Sequence, residues 1–284
     1  MTEITFLSRL TGSFATSAAQ NPTVAIMEAA FHDAGLDCRY INCEVPPEHL
    51  AGAVAGAVGM GWMGFNCSIP HKVTVLEHLD ELAPSASIIG AVNCVVIRDG
   101  RLIGENTDGQ GFVASLRTVT DPTGQDVVVL GAGGAARAIA VETALAGARS
   151  ITIVNRTPER GEALATLIDT RTPATGTFRP WTPGYRIDPG AGVVINATSI
   201  GFHPDTDAIP DVDLATLRAG VVVADVVANP PRTGFLKAAE ARQCVTLDGL
   251  GMLVNQALIA VRLWTGEDVS GDVMRGVLED LFGG

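Results

Sequence analysis

Short apolar runs and stretches of helical period succeed one another along this chain, and their alternation predicts an α/β protein. A helical pattern runs over residues 23–34 and closes at Gly35. A strand follows over 38–43, and a second helix over 47–58 opens on Pro46-Pro47-Glu48. A short strand over 63–66 leads into Ser68-Ile-Pro-His-Lys72, after which 73–82 carries a helical pattern. Strands recur over 91–98 and 102–106, joined across Asp99-Gly100, a dipeptide suited to a tight hairpin turn. That hairpin is the expected antiparallel element in a mostly parallel sheet.

A helix beginning over 111–116 carries the chain into a second region, with strands expected at 127–130, 150–154, 192–196, 221–225 and 244–247. These make a doubly wound nucleotide-binding sheet, somewhat abbreviated. The last stretches, 251–266 and 269–282, read as two helices with no strand to feed. They are expected to return and cover the first region.

The segment Val127-Val-Val-Leu-Gly-Ala-Gly-Gly-Ala-Ala136 breaks from a strand into a glycine loop and then into an alanine-rich helix. Gly131 would make the tight turn, Gly133 would let backbone N–H groups approach a pyrophosphate, and Ala136 would let the helix pack close to the strand. The phosphate would sit at the positive end of that helix. Such a loop also serves plain turns, so the residues at the end of the next strand decide. That apolar run, Ser150-Ile-Thr-Ile-Val154, ends in Asn155-Arg156-Thr157, where an NAD-binding unit offers a carboxylate to the ribose 2′-hydroxyl. An arginine between two hydrogen-bonding side chains suits a 2′-phosphate instead, so the expected cofactor is NADP. The same residues also suit a helix start, with Thr157 as N-cap, Pro158 in the first position and Glu159 in the first turn. The two roles are compatible.

At 284 residues the chain exceeds the usual single-domain size, so two domains are expected. With 47% hydrophobic and 18% charged residues it has the composition of a folded enzyme and not of a disordered chain. A net charge of −12 argues against nucleic acid as a partner, because phosphate backbones need clustered Lys and Arg. No apolar run approaches the roughly 18 residues of a membrane span, and the opening Met1-Thr-Glu-Ile-Thr-Phe-Leu lacks the basic start of a secretory leader. The five cysteines show no C-x-x-C pair, which favours reduced thiols in a cytoplasmic setting and gives no zinc spacing.

Lys72 and Lys237 are the two lysines of the chain. Lys72 stands at the carboxyl end of an expected strand, where open α/β sheets place ligands, and Asp108 follows the next hairpin strand in the same way. A lysine and a carboxylate in one site can share the proton of a substrate hydroxyl, which a hydride carrier needs as its partner. Taken singly, each also reads as a solvated helix or turn residue. His71 reads as a structural hydrogen-bonder, His203 as a loop residue, and Trp62 and Trp264 as core.

Taken together, these segments resemble the shikimate dehydrogenase family from one end of the chain to the other. The family's Gly-Phe-Asn-Val-Thr-Ile-Pro-His-Lys stands here as Gly64-Phe-Asn-Cys-Ser-Ile-Pro-His-Lys72. Gly90-Ala-Val-Asn93, Asn106-Thr-Asp-Gly-Gln-Gly-Phe112, Gly131-Ala-Gly-Gly-Ala-Ala136, Asn155-Arg-Thr157, Asn196-Ala-Thr-Ser-Ile-Gly201 and Gly251-Met-Leu-Val-Asn-Gln256 come in the family's order. The resemblance implies NADP-dependent oxidation of shikimate, or of a closely related cyclic hydroxy acid, in aromatic amino acid (chorismate) biosynthesis. It implies Lys72 and Asp108 as the catalytic pair, with Asn93, Asp108 and Gln256 on ring hydroxyls and Ser68 in place of a substrate-contacting threonine. It implies cofactor contacts from Gly131, Gly133, Gly134, Ala135, Asn155, Arg156, Thr157, Thr198, Ser199, Val226 and Gly249. It also implies a substrate domain over 1–107 and 248–284, with a Rossmann-like NADP domain over 108–247 inserted in it, in a monomer or homodimer.

Two departures from the family pattern fall on substrate recognition. The family grips the substrate carboxylate with Ser-x-Ser, and this chain reads Gly12-Ser-Phe-Ala-Thr-Ser-Ala-Ala-Gln-Asn-Pro-Thr23. Aligned backwards from Phe31, the serine places become Asn21 and Thr23; aligned forwards from Gly12, they become Ala18 and Gln20. Ser13, Thr16 and Ser17 offer spare hydroxyls. In Asp225-Val-Val-Ala-Asn-Pro230, Ala228 replaces the family's tyrosine, which deletes another hydroxyl. The alternatives are quinate as substrate, or a non-catalytic NADP(H) sensor of the same fold; retention of Lys72 with Asp108 favours the enzyme.

Overall fold

The computed structural model describes residues 6–282; residues 1–5, which open the stretch read as lacking a leader, lie outside the described residues. The chain divides into two units, Met1–Thr107 with Ala257–Leu278 and Asp108–Gln256 with Glu279–Gly284. Each contains a six-stranded sheet.

The first sheet has the order β2-β1-β3-β5-β6-β4, from β1 (Arg9–Ala15), β2 (Cys38–Glu44), β3 (Gly64–Cys67), β4 (Glu81–Leu82), β5 (Cys94–Arg98) and β6 (Arg101–Glu105). β1 runs parallel to β2 and β3, and β4 parallel to β6, while β5 is antiparallel to both its neighbours. The β5–β6 hairpin turns at Asp99-Gly100 as expected, with φ of 52° and 77°. Helices α1 (Thr23–Asp33), α2 (Leu50–Gly59), α3 (His71–Thr74) and α4 (Pro84–Ile89) make the connections. The core gathers on Phe14, Trp62 and Phe65, with the Phe14 and Phe65 rings stacked at 4.4 Å.

Three elements differ from expectation. β1 is absent from the predicted pattern, because Thr11, Gly12 and Ser13 break its apolar run although all three are buried. The strand lies inside the sheet because Thr11 Oγ1 donates to Arg39 O and Ser13 Oγ donates to Asn42 Oδ1, which satisfies those hydroxyls. The helix expected over 73–82 ends early: a 3-10 turn, Val75–His78, follows α3, and Glu81–Leu82 pairs with Ile103 and Gly104 as an edge strand. The short helix α4 carries too few turns to leave a periodic signal.

In the second unit, α5 (Thr107–Leu116) leads to β7 (Asp126–Leu130), α6 (Gly134–Leu145), β8 (Ser150–Asn155), α7 (Pro158–Arg171), β9 (Thr175–Pro180), β10 (Val193–Asn196), β11 (Val222–Asp225), α8 (Gly234–Glu240) and β12 (Val245–Leu247). All pairs in the order β12-β11-β10-β7-β8-β9 are parallel. The sheet is therefore not abbreviated. β9 supplies the sixth strand, and its Thr-Gly-Thr-Phe-Arg-Pro sequence has no apolar run because an edge strand needs none. Strand order reverses between β7 and β10, and ligands of such sheets bind beyond the carboxyl ends at that point.

The closing helices are α9 (Leu250–Thr265) and α10 (Gly271–Phe282). Trp264 on α9 lies against the first sheet as expected: its indole N–H donates to Val95 O at 3.0 Å, over Gly64, where any Cβ would overlap the indole.

Candidate functional site

Parallel β1 and β3 and antiparallel β5 and β6 bring four segments to one edge of the first sheet. These are the loop after β1 (Asn21), the loop after β3 (Ser68 to Lys72), the segment entering β5 (Asn93) and the segment leaving β6 (Asn106, Thr107). Lys72 is half-buried in the first turn of α3, and its carbonyl accepts from Val92 N–H at 2.8 Å. His71 beside it is fully buried and, as expected, structural: its Nε2 lies 2.7 Å from Val45 O and so carries the proton.

Asn93 is buried, and its Oδ1 accepts the Thr107 N–H at 2.7 Å while its Nδ2 donates to Thr107 Oγ1 at 3.0 Å. The side chain expected on a substrate hydroxyl thus also fixes the first residue of α5, whose next residue is Asp108. Beneath it, Tyr40 OH donates to Asn66 Oδ1 (2.8 Å) and Asn66 Nδ2 donates to Asn93 O (2.9 Å). Burial pushes the Tyr40 phenol up, so it stays a neutral donor. Tyr40 lies outside every motif read from the sequence, and Asn66 lies within Gly64-Phe-Asn-Cys-Ser-Ile-Pro-His-Lys72, where nothing local assigns it this supporting role.

Asn21 Oδ1 accepts the Thr23 N–H at 3.1 Å and opens α1, while Asn21 Nδ2 donates to Ser13 Oγ at 3.3 Å. Thr23 itself is buried at 8% exposure. Ser13 is not the spare hydroxyl that the sequence offered, since it is fully buried between Asn21 and Asn42. Thr16 and Ser17 are exposed. This end of the sheet places a carboxamide, Asn21, and a mostly buried threonine, Thr23, where the resemblance implied two serines.

In the second unit, Gly131 has φ +110°, and a Cβ there would stand 2.9 Å from Thr198 Cγ2. Only glycine suits that turn. A Cβ at Gly133 or Gly134 would meet open space, Ala135 is exposed, and the start of α6 carries no side-chain cap. Its first N–H groups are thus presented outward, as phosphate recognition requires. Beside them a groove of about 350 Å³ is lined by Ala132, Gly133, Gly134, Arg137, Arg160, Ala163 and Leu164. Arg137 and Arg160 lie outside the motifs read from the sequence, though Arg160, in the first turn of α7, follows Arg156 by four residues. Arg156 is exposed at the end of β8, and Thr157 is the N-cap of α7 by position, with Pro158 next, yet its hydroxyl makes no cap bond. Asn155 Nδ2 donates to Thr157 O at 2.9 Å. These residues fit a doubly charged phosphate better than a bare ribose hydroxyl. A wider cavity of about 480 Å³, lined by Arg179, Tyr185, Arg186 and Arg218 among others, contains none of the motif residues.

Thr198 and Ser199 follow β10, Val226 follows β11, and Gly249 follows β12, where a Cβ would approach the Val226 and Val227 carbonyls to within 2.7 Å. On α5, a Cβ at Gly111 would come 2.6 Å from the Gln256 backbone nitrogen. The glycine therefore sets Gln256 of α9 one helical turn from Asp108.

Asp225, at the end of β11, is 1% exposed, and burial pushes its carboxyl up to about 6 against the pull of three hydrogen-bond donors. Because the folded chain then holds this proton more tightly than the unfolded chain, its contribution to stability is present below about pH 4 and lost as pH rises through about 6. Such a rise of about two pKa units is worth about 3 kcal/mol, roughly half of it lost between pH 5 and 7.5. The melting temperature of the wild type relative to Asp225→Asn should fall by a few degrees over that interval. A constant difference would mean that this carboxyl titrates normally.

Family models match three stretches. Residues 14–95 match the shikimate dehydrogenase substrate binding domain, 114–177 the shikimate / quinate 5-dehydrogenase model and 249–279 the shikimate 5′-dehydrogenase C-terminal domain. A shikimate dehydrogenase (NADP+) of Desulforamulus reducens is 41% identical over 259 residues, 89% of each chain. A solved shikimate dehydrogenase in complex with NADP+ is 36% identical with a TM-score of 0.91, over 98% of this chain and 96% of that one. The ligand-free 5-ketofructose reductase of Gluconobacter sp. strain CHM43 is 58% identical with a TM-score of 0.96, over 98% of this chain and 100% of that one.

Proposed function

Because the chain belongs to the shikimate dehydrogenase family, we propose that it is an NADP-dependent oxidoreductase interconverting a ring hydroxyl of a small polyhydroxylated substrate and the corresponding ketone. Shikimate, or a close relative such as quinate, is the substrate that family membership supports. The observation that carries the reading is the open glycine loop at the switch point, with Arg156, Arg137 and Arg160 on its phosphate side. The stretches 1–107 and 248–284 take the substrate and 108–247 takes the cofactor, in a monomer or homodimer, although 248–256 and 279–284 group with the second unit. No helix among the described residues is long and apolar enough to cross a membrane, and the five free cysteines support a cytoplasmic setting.

NADP, when bound, accepts or supplies the hydride. The protein's residues do the rest. The start of α6 with Gly131, Gly133, Gly134 and Ala135 holds the pyrophosphate, and Asn155, Arg156 and Thr157 hold the 2′-phosphate. Thr198, Ser199, Val226 and Gly249 line the remaining length. Asn93, Gln256 and Ser68 orient the substrate. The Lys72 ammonium and the Asp108 carboxylate exchange the hydroxyl proton, the lysine giving it to the oxygen as the ketone is reduced. Arg156→Ala is expected to weaken NADP+ at least about tenfold while leaving NAD+ nearly unchanged, as measured by the KM of each; equal losses would make Arg156 structural only.

A second substrate is favoured by a particular observation. The end of the sheet that the family uses for a carboxylate has here a carboxamide, Asn21, tied to Ser13 and Thr23, in place of one serine, and Ala228 withdraws a further hydroxyl. A 58% identical relative bears the name of a keto-sugar reductase, and a keto-sugar has no carboxylate to grip. Reduction of a neutral keto-sugar of the 5-ketofructose type fits these departures better than oxidation of an acid.

A further inference from the structure

We infer that Asp225 is a positioning residue for the cofactor half of the site, holding the loops after β10 and β11 in register through the side chain of Asn196. Its Oδ1 accepts from Asn196 Nδ2 and from the Val227 N–H, each at 3.0 Å, and its Oδ2 accepts from Thr233 Oγ1 at 2.7 Å. Asn196 is itself fully buried. Because its amide nitrogen faces the carboxylate, its Oδ1 is turned to the loop, where it accepts from the Thr198 N–H (3.2 Å) and Thr198 Oγ1 (2.6 Å). The same nitrogen also reaches Ile200 O at 3.1 Å, and Thr198 Oγ1 takes the Ile200 N–H at 3.1 Å. The loop over 197–201 is thus wrapped around one amide whose orientation a carboxylate dictates.

Both ends of this series of bonds reach residues proposed to hold NADP. Thr198 Cγ2 limits the turn at Gly131, and the Val226 and Val227 carbonyls limit Gly249. The carboxylate accepts from all three donors at once; an asparagine that kept Asn196 and Val227 on its oxygen would turn an N–H toward Thr233 Oγ1, which would have to change from donor to acceptor. Keeping it there costs stability, since the three donors are uncharged and burial disfavours the ionised form. A group retained against its own desolvation cost, in contact with loops that hold a ligand, is explained by placement of those loops.

The inference rests on the NADP reading, and direct NADP+ binding to the full chain separates the two. Asp225→Asn and Asn196→Ala are each expected to raise the NADP+ Kd at least about tenfold. KM for the substrate turned over, shikimate or 5-ketofructose, should stay within about twofold, and the double variant should lose little more than the worse single one, because both act through one linkage. A role in folding alone would lower the melting temperature without this selectivity. NADP+ affinity within about twofold of wild type in folded Asp225→Asn overturns the inference. Should Asp225→Asn fail to fold, the same result in Asn196→Ala, which leaves the carboxylate in place, overturns it. Wild-type protein that binds NADP+ no better than NAD+ defeats the cofactor reading itself and the inference with it.

Discussion

Lys72→Ala and Asp108→Asn are each expected to lower kcat by roughly 10²–10⁴, the usual worth of a positioned acid or base. Neither change should unfold the chain. Lys72 is held by its backbone carbonyl through Val92, which the substitution leaves alone, and Asn93 holds the Thr107 N–H at the start of α5. Asp108 lies in the first turn of α5, and its neutralisation forfeits a helix-dipole interaction of about 0.3–1 kcal/mol. Because the two groups are proposed to handle the same proton, the double variant should lose far less than the product of the single losses. Melting curves recorded beside steady-state rates separate this from unfolding. Near-normal kcat in either single variant would remove that residue from the proton-transfer role.

Reduction of 5-ketofructose with NADPH is expected to exceed oxidation of shikimate with NADP+ by at least about 100-fold in kcat/KM. Each missing hydrogen bond to a carboxylate costs about 1.5–3 kcal/mol, so the serine hydroxyl absent at Asn21 alone accounts for about ten- to a hundredfold. Ala228 adds to the deficit. Asn21→Ala should raise KM for the keto-sugar about tenfold or more, since its carboxamide is the donor that the amino-terminal edge presents. Asn21→Ala combined with Thr23→Ala tests the opposite outcome. A large rise in KM for shikimate in that variant, starting from efficient turnover, would mean that the carboxylate site has been rebuilt from these two residues and that shikimate or quinate is the substrate.

The inner strands of the second sheet are legible in the sequence because both faces are buried, so that Val127-Val-Val-Leu130 reads as one apolar run. The hairpin is legible because Asp99 and Gly100 are the residue types that positive φ selects. β1 is hidden for the opposite reason. Its buried Thr11 and Ser13 look like a solvated segment until their partners on β2 are known, and those partners are 28 and 29 residues away. β9 is hidden because an edge strand carries little apolar signal. At the candidate site, residues that stand in recognisable local order can be named from the chain alone. The supporting roles of Tyr40, Asn66 and the Asp225 carboxylate cannot, even though Asn66 and Asp225 stand in such motifs, since what they do depends on partners brought near only by the sheets. Asp225 and Asn196 are 29 residues apart, and nothing local says that one orients the other.

Val92 and Asn93 are adjacent in the chain, yet one holds the Lys72 carbonyl and the other the first residue of α5. The main-chain supports of the two proposed proton-handling residues therefore hang from a single rigid dipeptide, far in sequence from the amino-terminal loop and from Ala228. The positions at which this chain departs from the family pattern, 16–23 and 228, lie outside the Val92-Asn93 support, so substrate contacts there can change without touching the hydrogen bonds that hold the Lys72 carbonyl and Thr107.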